Sequence, residues 1–302
     1  SSDLDLKKKL SAQTYDELFV IHRSLRTGLL AWKIRARRKT VYKSFWNLWG
    51  FQNRVERRGI FPEPLRQLQL LAAVSQPTRE ILEKAASVDW SAKSELGQLS
   101  KPSEGLYFNF RRDVLKIEGT LDFVEIGKAP RAAIFPGSVW GTKRWTPEGF
   151  RGVMTELLNQ GFEVWILGAR DEVDLCENLL ANFSERARVR NFCGQLSIWQ
   201  SFRLLAEATV VLSNDSASAH MAALLDLPII SIFGPTVRRF GYRPWASSVR
   251  VVEIDELPCR PCGAHGPQVC PLGHHKCMVD IPASRVAKNV LALARSIPQE
   301  TL

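Results

Sequence analysis

From residue 132 onward, short apolar runs alternate with longer stretches of helical period. The runs cover residues 132–135, 163–167, 189–193, 210–212 and 229–233. Residues 147–160, 172–183 and 198–207 lie between them, with apolar positions recurring every three or four residues. A further helical stretch, 282–296, has Pro282 in its first turn. Strands alternating with helices of about 10–15 residues predict a parallel sheet. The first third of the chain has a weaker pattern. A buried-type strand is expected within 17–22, a helix over 29–34 and a strand over 40–43. Helical spacing returns at 65–74 and 81–86. Residues 91–102 are polar and small, as in a linker, and 106–119 alternate enough for strands. A division near Lys128 gives two domains, 1–129 and 130–302, in line with the length of 302 residues.

The stretch 209–236 carries the strongest local signal. Val210, Val211 and Leu212 stop at Asn214 and Asp215, four small residues follow, and from His220 the pattern is helical. The next apolar run ends in Gly234, Pro235 and Thr236. In open α/β sheets, ligands bind at the carboxyl ends of strands, and this order of elements puts Asp215, Ser216, His220, Gly234 and Thr236 there. Small residues such as Ala217 let backbone approach a ligand, and the N–H groups of a helix start favour phosphate. Each residue also has a plainer reading, since Asp and Ser are ordinary helix caps. Two earlier strand ends add candidates. Pro136-Gly137-Ser138 precedes Lys143, which could reach a diphosphate as a point charge. Asp171 and Glu172 stand where a carboxylate holds ribose hydroxyls in nucleotide-binding sheets, or where it favours a helix start. The dinucleotide fingerprint, the P-loop and the nucleophile elbow of α/β-hydrolases do not occur in the chain.

Charge and cysteine usage extend this reading. A net charge of +10 favours anionic partners. Between His22 and Arg66, Arg and Lys are dense and only Glu56 and Glu63 oppose them. Trp32, Phe45, Trp46, Trp49 and Phe51 are interleaved. A solvated basic face, a nucleic-acid surface and a membrane surface all fit this composition, but no nucleic-acid motif accompanies the charge. No run of 18 apolar residues exists to span a bilayer. Cys259, Cys262, Cys270 and Cys277 are spaced C-x2-C-x7-C-x6-C, with His274 and His275 alongside. Structural zinc at these four cysteines, reduced thiols and a disulfide are all open readings.

Asp215-Ser216 with His220, then FGPT, resembles the C-terminal half of the ADP-heptose:lipopolysaccharide heptosyltransferases of glycosyltransferase family 9. LPCRPC and CPLGHHKCM place the resemblance closest to the heptosyltransferase II branch. It implies an α/β fold in the GT-B arrangement, two Rossmann-like domains with parallel sheets facing across a cleft. It further implies an inverting transfer of L-glycero-D-manno-heptose from ADP-heptose to the lipopolysaccharide inner core, lipid A–Kdo–heptose, with no cofactor required. The enzyme would be cytoplasmic and peripheral to the inner membrane, an anionic surface. The resemblance puts the donor on Ser138, Lys143, Glu172, Leu196, Asp215, Ser216, Ala217 and His220, with Leu196 against the adenine. Ala217 departs from the family's usual Gly. His22, Ser24 and Arg26 follow a strand end and are the expected acceptor side. The family's catalytic base is the Asp of a Gly-Asp pair, and no such pair occurs in this chain. Tyr15 to His22 resembles the family's fourth strand, so the N-terminal domain is expected to be incomplete. Two rivals remain: a related transferase using another nucleotide sugar, and a nucleotide-binding protein without turnover.

Overall fold

The computed structural model describes residues 8–47, 50–59, 61–87, 126–181 and 183–296. Residues 8–87 and 126–296 belong to two separate units. The expected strands within 106–119 and the linker 91–102 lie outside the described residues, and so does most of the stretch that separates the two sequence-assigned domains. Arg131 donates to the carbonyls of Gly127 and Ala129, so those residues go with the second unit.

Among the described residues, the first unit has a three-stranded parallel sheet, β1 (Tyr15–Val20), β2 (Ala36–Tyr42) and β3 (Asn53–Val55), in that order. Helix α1 (Leu25–Lys33) links the first two strands, and α2 (Glu63–Ala72) and α3 (Gln76–Ala86) follow. Ser24 caps α1 by accepting from the Thr27 N–H at 3.2 Å. Strand β2 begins four residues before the expected 40–43. Arg37 and Arg38, in the basic cluster, are part of the ladder and pair across it with Asp16 and Glu17 of β1. Strand β3 escaped the sequence reading because three residues, two of them polar, carry no period. Val20, Ala31 and Val41 form a small core with Leu18 and Phe51.

Among the described residues, the second unit has six parallel strands. They are β4 (Arg131–Phe135), β5 (Glu163–Ile166), β6 (Val189–Asn191), β7 (Val210–Asn214), β8 (Ile229–Phe233) and β9 (Val249–Glu253). The helices are α4 (Pro147–Asn159), α5 (Val173–Ala181), α6 (Ile198–Leu205), α7 (Ala217–Leu224), the short α8 (Lys276–Val279) and α9 (Ala283–Arg295). The strand order is β6-β5-β4-β7-β8-β9, with Ala132 opposite Val210 and Val211 opposite Ile229. The chain therefore winds one way from β4 and back the other way from β7, and the switch lies between them.

Both faces of this sheet are covered, which is why its strands read as continuous apolar runs rather than alternating ones. Ala132, Ile134, Leu212 and Ile230 face Met154 and Leu157 of α4 and Val286, Val290 and Leu293 of α9. Ala133, Phe135, Val211 and Ile229 face Phe202 and Leu205 of α6 and Ala219 and Ala222 of α7. Fully burying a Val or Leu side chain is worth roughly 1.5–3 kcal/mol. The three such residues of α9 bind it firmly to this sheet. The sequence reading missed β9 because Arg250 interrupts its apolar run. Burial lowers the pKa of that guanidinium, whose contact is Asn289 of α9 at 3.4 Å.

Candidate functional site

The β4–β7 switch is held by one side chain. Asn214, the fully buried last residue of β7, donates to the carbonyls of Pro136 at 2.8 Å and Gly137 at 3.2 Å. Its side-chain oxygen accepts from the Trp145 N–H at 3.1 Å. The loop after β4 is thereby fastened at both ends to the tip of β7. A polar residue closing an apolar run was the only sign of this role in the sequence.

Between these loops lies a cavity of about 400 Å³. Ser138, Glu172, Leu196, Ser216 and Ala217, all expected donor residues, line it. Glu172 is held in place by its surroundings. Its Oε2 accepts from the Ala169 N–H at 2.9 Å, and its carboxylate lies directly over the Cα of Gly137. A methyl group on Gly137 would sit 1.9 Å from Oε1, and one on Gly168 3.0 Å from Oε2. Two glycines thus make the seat for one carboxylate. Leu196, Ile198 and Met221 form an apolar wall beside it. Ile198 and Met221 were not expected, because an apolar residue on a helix gives no sign of whether it meets core or ligand. The start of α7 adds Ser216, Ala217 and Ser218 to the lining. The cavity therefore offers an apolar slot, a fixed hydrogen-bond acceptor and a helix N-terminus, which match a base, a ribose and a diphosphate.

Lys143 and Asp215 are placed differently. They are not on the cavity wall but buried beside it, with Lys143 Nζ donating to Asp215 Oδ2 at 2.6 Å. The Thr236 hydroxyl donates to the same oxygen at 2.6 Å. The ends of β4, β7 and β8 thus meet in one charged cluster. His220 is exposed on α7, away from the cavity lining.

The chain matches a known family. The model of glycosyltransferase family 9 (heptosyltransferase) fits residues 4–269. The chain belongs to glycosyltransferase family 9. It is 32% identical over 163 residues to lipooligosaccharide heptosyltransferase 2 of Campylobacter jejuni, covering 52% of this chain and 49% of that one. The chain spans about half the length of the curated relatives it matches. Among solved structures it is similar to E. coli ADP-heptose LPS heptosyltransferase II, with a TM-score of 0.69 at 20% identity, covering 99% of this chain and 80% of that one. It is also similar to E. coli heptosyltransferase WaaC with ADP, with a TM-score of 0.64 at 17% identity, covering 96% and 77%. These structural likenesses carry the fold, two α/β units of the GT-B kind.

In this family 9 chain, the expected acceptor residues stand at the carboxyl end of β1. His22 Nδ1 lies 3.0 Å from the Ser24 hydroxyl and 3.2 Å from that of Thr27, so Ser24 serves the helix cap as well. Arg26 is exposed on the first turn of α1. Much of the basic patch supports the fold. Lys39 Nζ donates to the Trp32 carbonyl at 2.8 Å, and Arg57 and buried Arg66 both pair with Glu63. Trp32 and Phe45 are exposed, whereas Phe51 packs on the small core; Trp49 lies outside the described residues.

The zinc reading gains no support from the geometry. Among the described residues no three His, Cys, Asp or Glu side chains come together to hold a metal ion, and all six cysteines are free thiols. Burial pushes the Cys277 thiol up to about 11 and raises Cys262 as well, with the other cysteines of the segment near enough to add to both shifts, while backbone N–H groups lower Cys270. Hydrogen bonds hold the segment to the loops after β4 and β8.

Proposed function

We propose that this protein is an inverting glycosyltransferase that moves L-glycero-D-manno-heptose from ADP-heptose to a lipopolysaccharide inner-core acceptor. The observation that carries the reading is the Glu172 carboxylate seated on Gly137 and Gly168 beside the apolar wall, at the strand switch where nucleotides bind. Adenine lies against Leu196 and Met221, the ribose hydroxyls donate to Glu172, and the diphosphate meets the N–H groups at the start of α7. Lys143 has three N–H donors and gives one to Asp215, which leaves two for phosphate oxygens. An acceptor hydroxyl attacks the anomeric carbon from the face opposite ADP. The bond from that carbon to the phosphate oxygen breaks, its electron pair leaves on ADP, and a base takes the hydroxyl proton. Lys143 and the helix start stabilise the departing charge. No residue of this chain is assigned as the base.

Calorimetric titration tests the reading. ADP should bind at least about tenfold, or 1.4 kcal/mol, more tightly than UDP or GDP. ADP-heptose with a heptose-bearing acceptor should give an inverted glycoside. Absence of ADP binding, or equal binding of all three nucleotides, would overturn it.

The acceptor would be a lipid-anchored, phosphorylated glycan, reached through His22, Ser24 and Arg26. Leu25, Leu29 and Trp32 form one exposed stripe on α1, with Ile21 and Phe45 also exposed and Lys33, Arg35 and Arg37 nearby. Such a face suits an anionic bilayer, with apolar groups at headgroup depth and cations around them. The double variant Leu29→Ser/Trp32→Ser should bind acidic vesicles about tenfold more weakly than wild type. Wild-type binding should also fall as salt rises. If neutral and acidic vesicles bind equally well, this face is not a membrane surface.

A further inference from the structure

The family reading gives no role to the cysteine-rich segment between β9 and α8, but its contacts do. It forms no regular structure until α8 at Lys276. On one side it is anchored to the end of β8. Arg260 donates to the Thr236 carbonyl at 2.6 Å and to Glu253 at 2.8 Å, and the Cys262 N–H donates to the Pro235 carbonyl at 2.8 Å. On the other side it grips the loop after β4. Gln268 accepts from the Gly141 N–H at 3.0 Å and donates to the Val139 carbonyl at 3.0 Å. The Thr142 N–H and hydroxyl both donate to the Pro267 carbonyl, and His275 Nε2 donates to the Thr142 carbonyl at 2.7 Å. The Trp140 ring stacks on His265, with planes 8° apart and centroids 6.1 Å apart.

Two features suit this clasp to one geometry. A methyl group on Gly141 would lie 2.4 Å from the Gln268 carbonyl oxygen, so the two backbones meet without room for a side chain. His275 has φ 46°, in the left-handed region that residues other than glycine enter infrequently. Such outliers concentrate where a neighbouring structure demands a particular placement. Here the placement brings the imidazole to the Thr142 carbonyl. The gripped residues, 139–142, stand between Ser138 on the cavity wall and Lys143 in the charged cluster.

We infer that Gln268 and His275 are positioning residues for the nucleotide-sugar site, and that the cysteine-rich segment is a clasp fixing Ser138 and Lys143 before the ligand arrives. The inference rests on the donor reading above. Ordering a loop on binding weakens affinity, and a loop already held avoids that loss. Gln268 is exposed, so its bonds secure this loop without packing the core.

The test uses the whole protein. In Gln268→Ala, hydrogen exchange at the Gly141 and Thr142 amides should accelerate and the ADP Kd should rise about five- to tenfold with Tm unchanged. Gln268→Glu keeps the acceptor for Gly141 and should fall between the two. His275→Asn, which tolerates the left-handed backbone but lacks the reach, should resemble Gln268→Ala. Val269→Ala, at a neighbouring side chain that is 76% exposed, should behave as wild type. An unchanged ADP Kd in Gln268→Ala and His275→Asn, beside a wild type that binds ADP, overturns the clasp alone. A wild type that binds no ADP overturns the donor reading and the clasp with it.

Discussion

Asp215→Ala should lose about 3 kcal/mol of unfolding free energy and most of its nucleotide-sugar turnover together, not turnover alone. From the sequence, Asp215 is a ligand residue at a strand end, and its removal should hurt turnover more than folding. The geometry changes that expectation. The Asp215 side chain is 4% exposed and that of Lys143 10%, and their contact is 2.6 Å. Deleting the carboxylate leaves an ammonium with no counter-charge in a site that water barely reaches, and takes the acceptor from the Thr236 hydroxyl. Breaking one partner of such a pair is far more damaging than replacing both, because the survivor keeps its desolvation penalty. Lys143→Met/Asp215→Leu should therefore recover much of the stability lost in Asp215→Ala, yet remain unable to bind ADP well. Denaturant unfolding gives the first quantity and calorimetry the second. A fully stable Asp215→Ala would mean that Lys143 finds solvent or another partner, and that the cluster is not a structural unit.

The second unit was legible in the sequence for a definite reason. Its central strands are buried on both faces, so 132–135, 210–212 and 229–233 stand out as apolar blocks, and turn chemistry marks their ends. The cavity residues could be read because strand ends are where α/β sheets put ligands. What the sequence could not show was pairing between distant side chains. Lys143 and Asp215 each look like a free charge, and their separation of 72 residues hides that they neutralise each other. Asn214 gave only the sign of a polar residue closing an apolar run, since its partners in the loop after β4 are backbone groups any residue could supply. The basic patch of the first unit looked like one surface. Part of it is cross-strand pairing that only the register of β1 on β2 reveals. The cysteine spacing left zinc, reduced thiols and a disulfide open, because spacing alone does not report how thiols converge.

Gly137→Ala should lower ADP affinity about 10- to 100-fold while leaving Tm within a few degrees of wild type. The added methyl would fall 1.9 Å from Glu172 Oε1 and 2.1 Å from its carboxyl carbon, so one group must move. The group that yields is the end of a flexible side chain, half-exposed at the cavity edge. Folding therefore bears little of the strain. The same methyl at Gly149 would meet the Trp145 ring at 2.4 Å, and that ring is only 3% exposed, so there folding would bear it. At Gly137 the loss appears as binding, because a displaced Glu172 no longer accepts from the ribose, and a charge-assisted hydrogen bond is worth about 1.5–3 kcal/mol. Glu172→Ala should reproduce the loss. If the two residues act through the one carboxylate, the double variant will bind no worse than Glu172→Ala, the non-additivity expected of side chains in contact. Additive losses in the cycle would show that Gly137 contributes otherwise, for instance by admitting the diphosphate to its own backbone, and the ribose would then be held elsewhere.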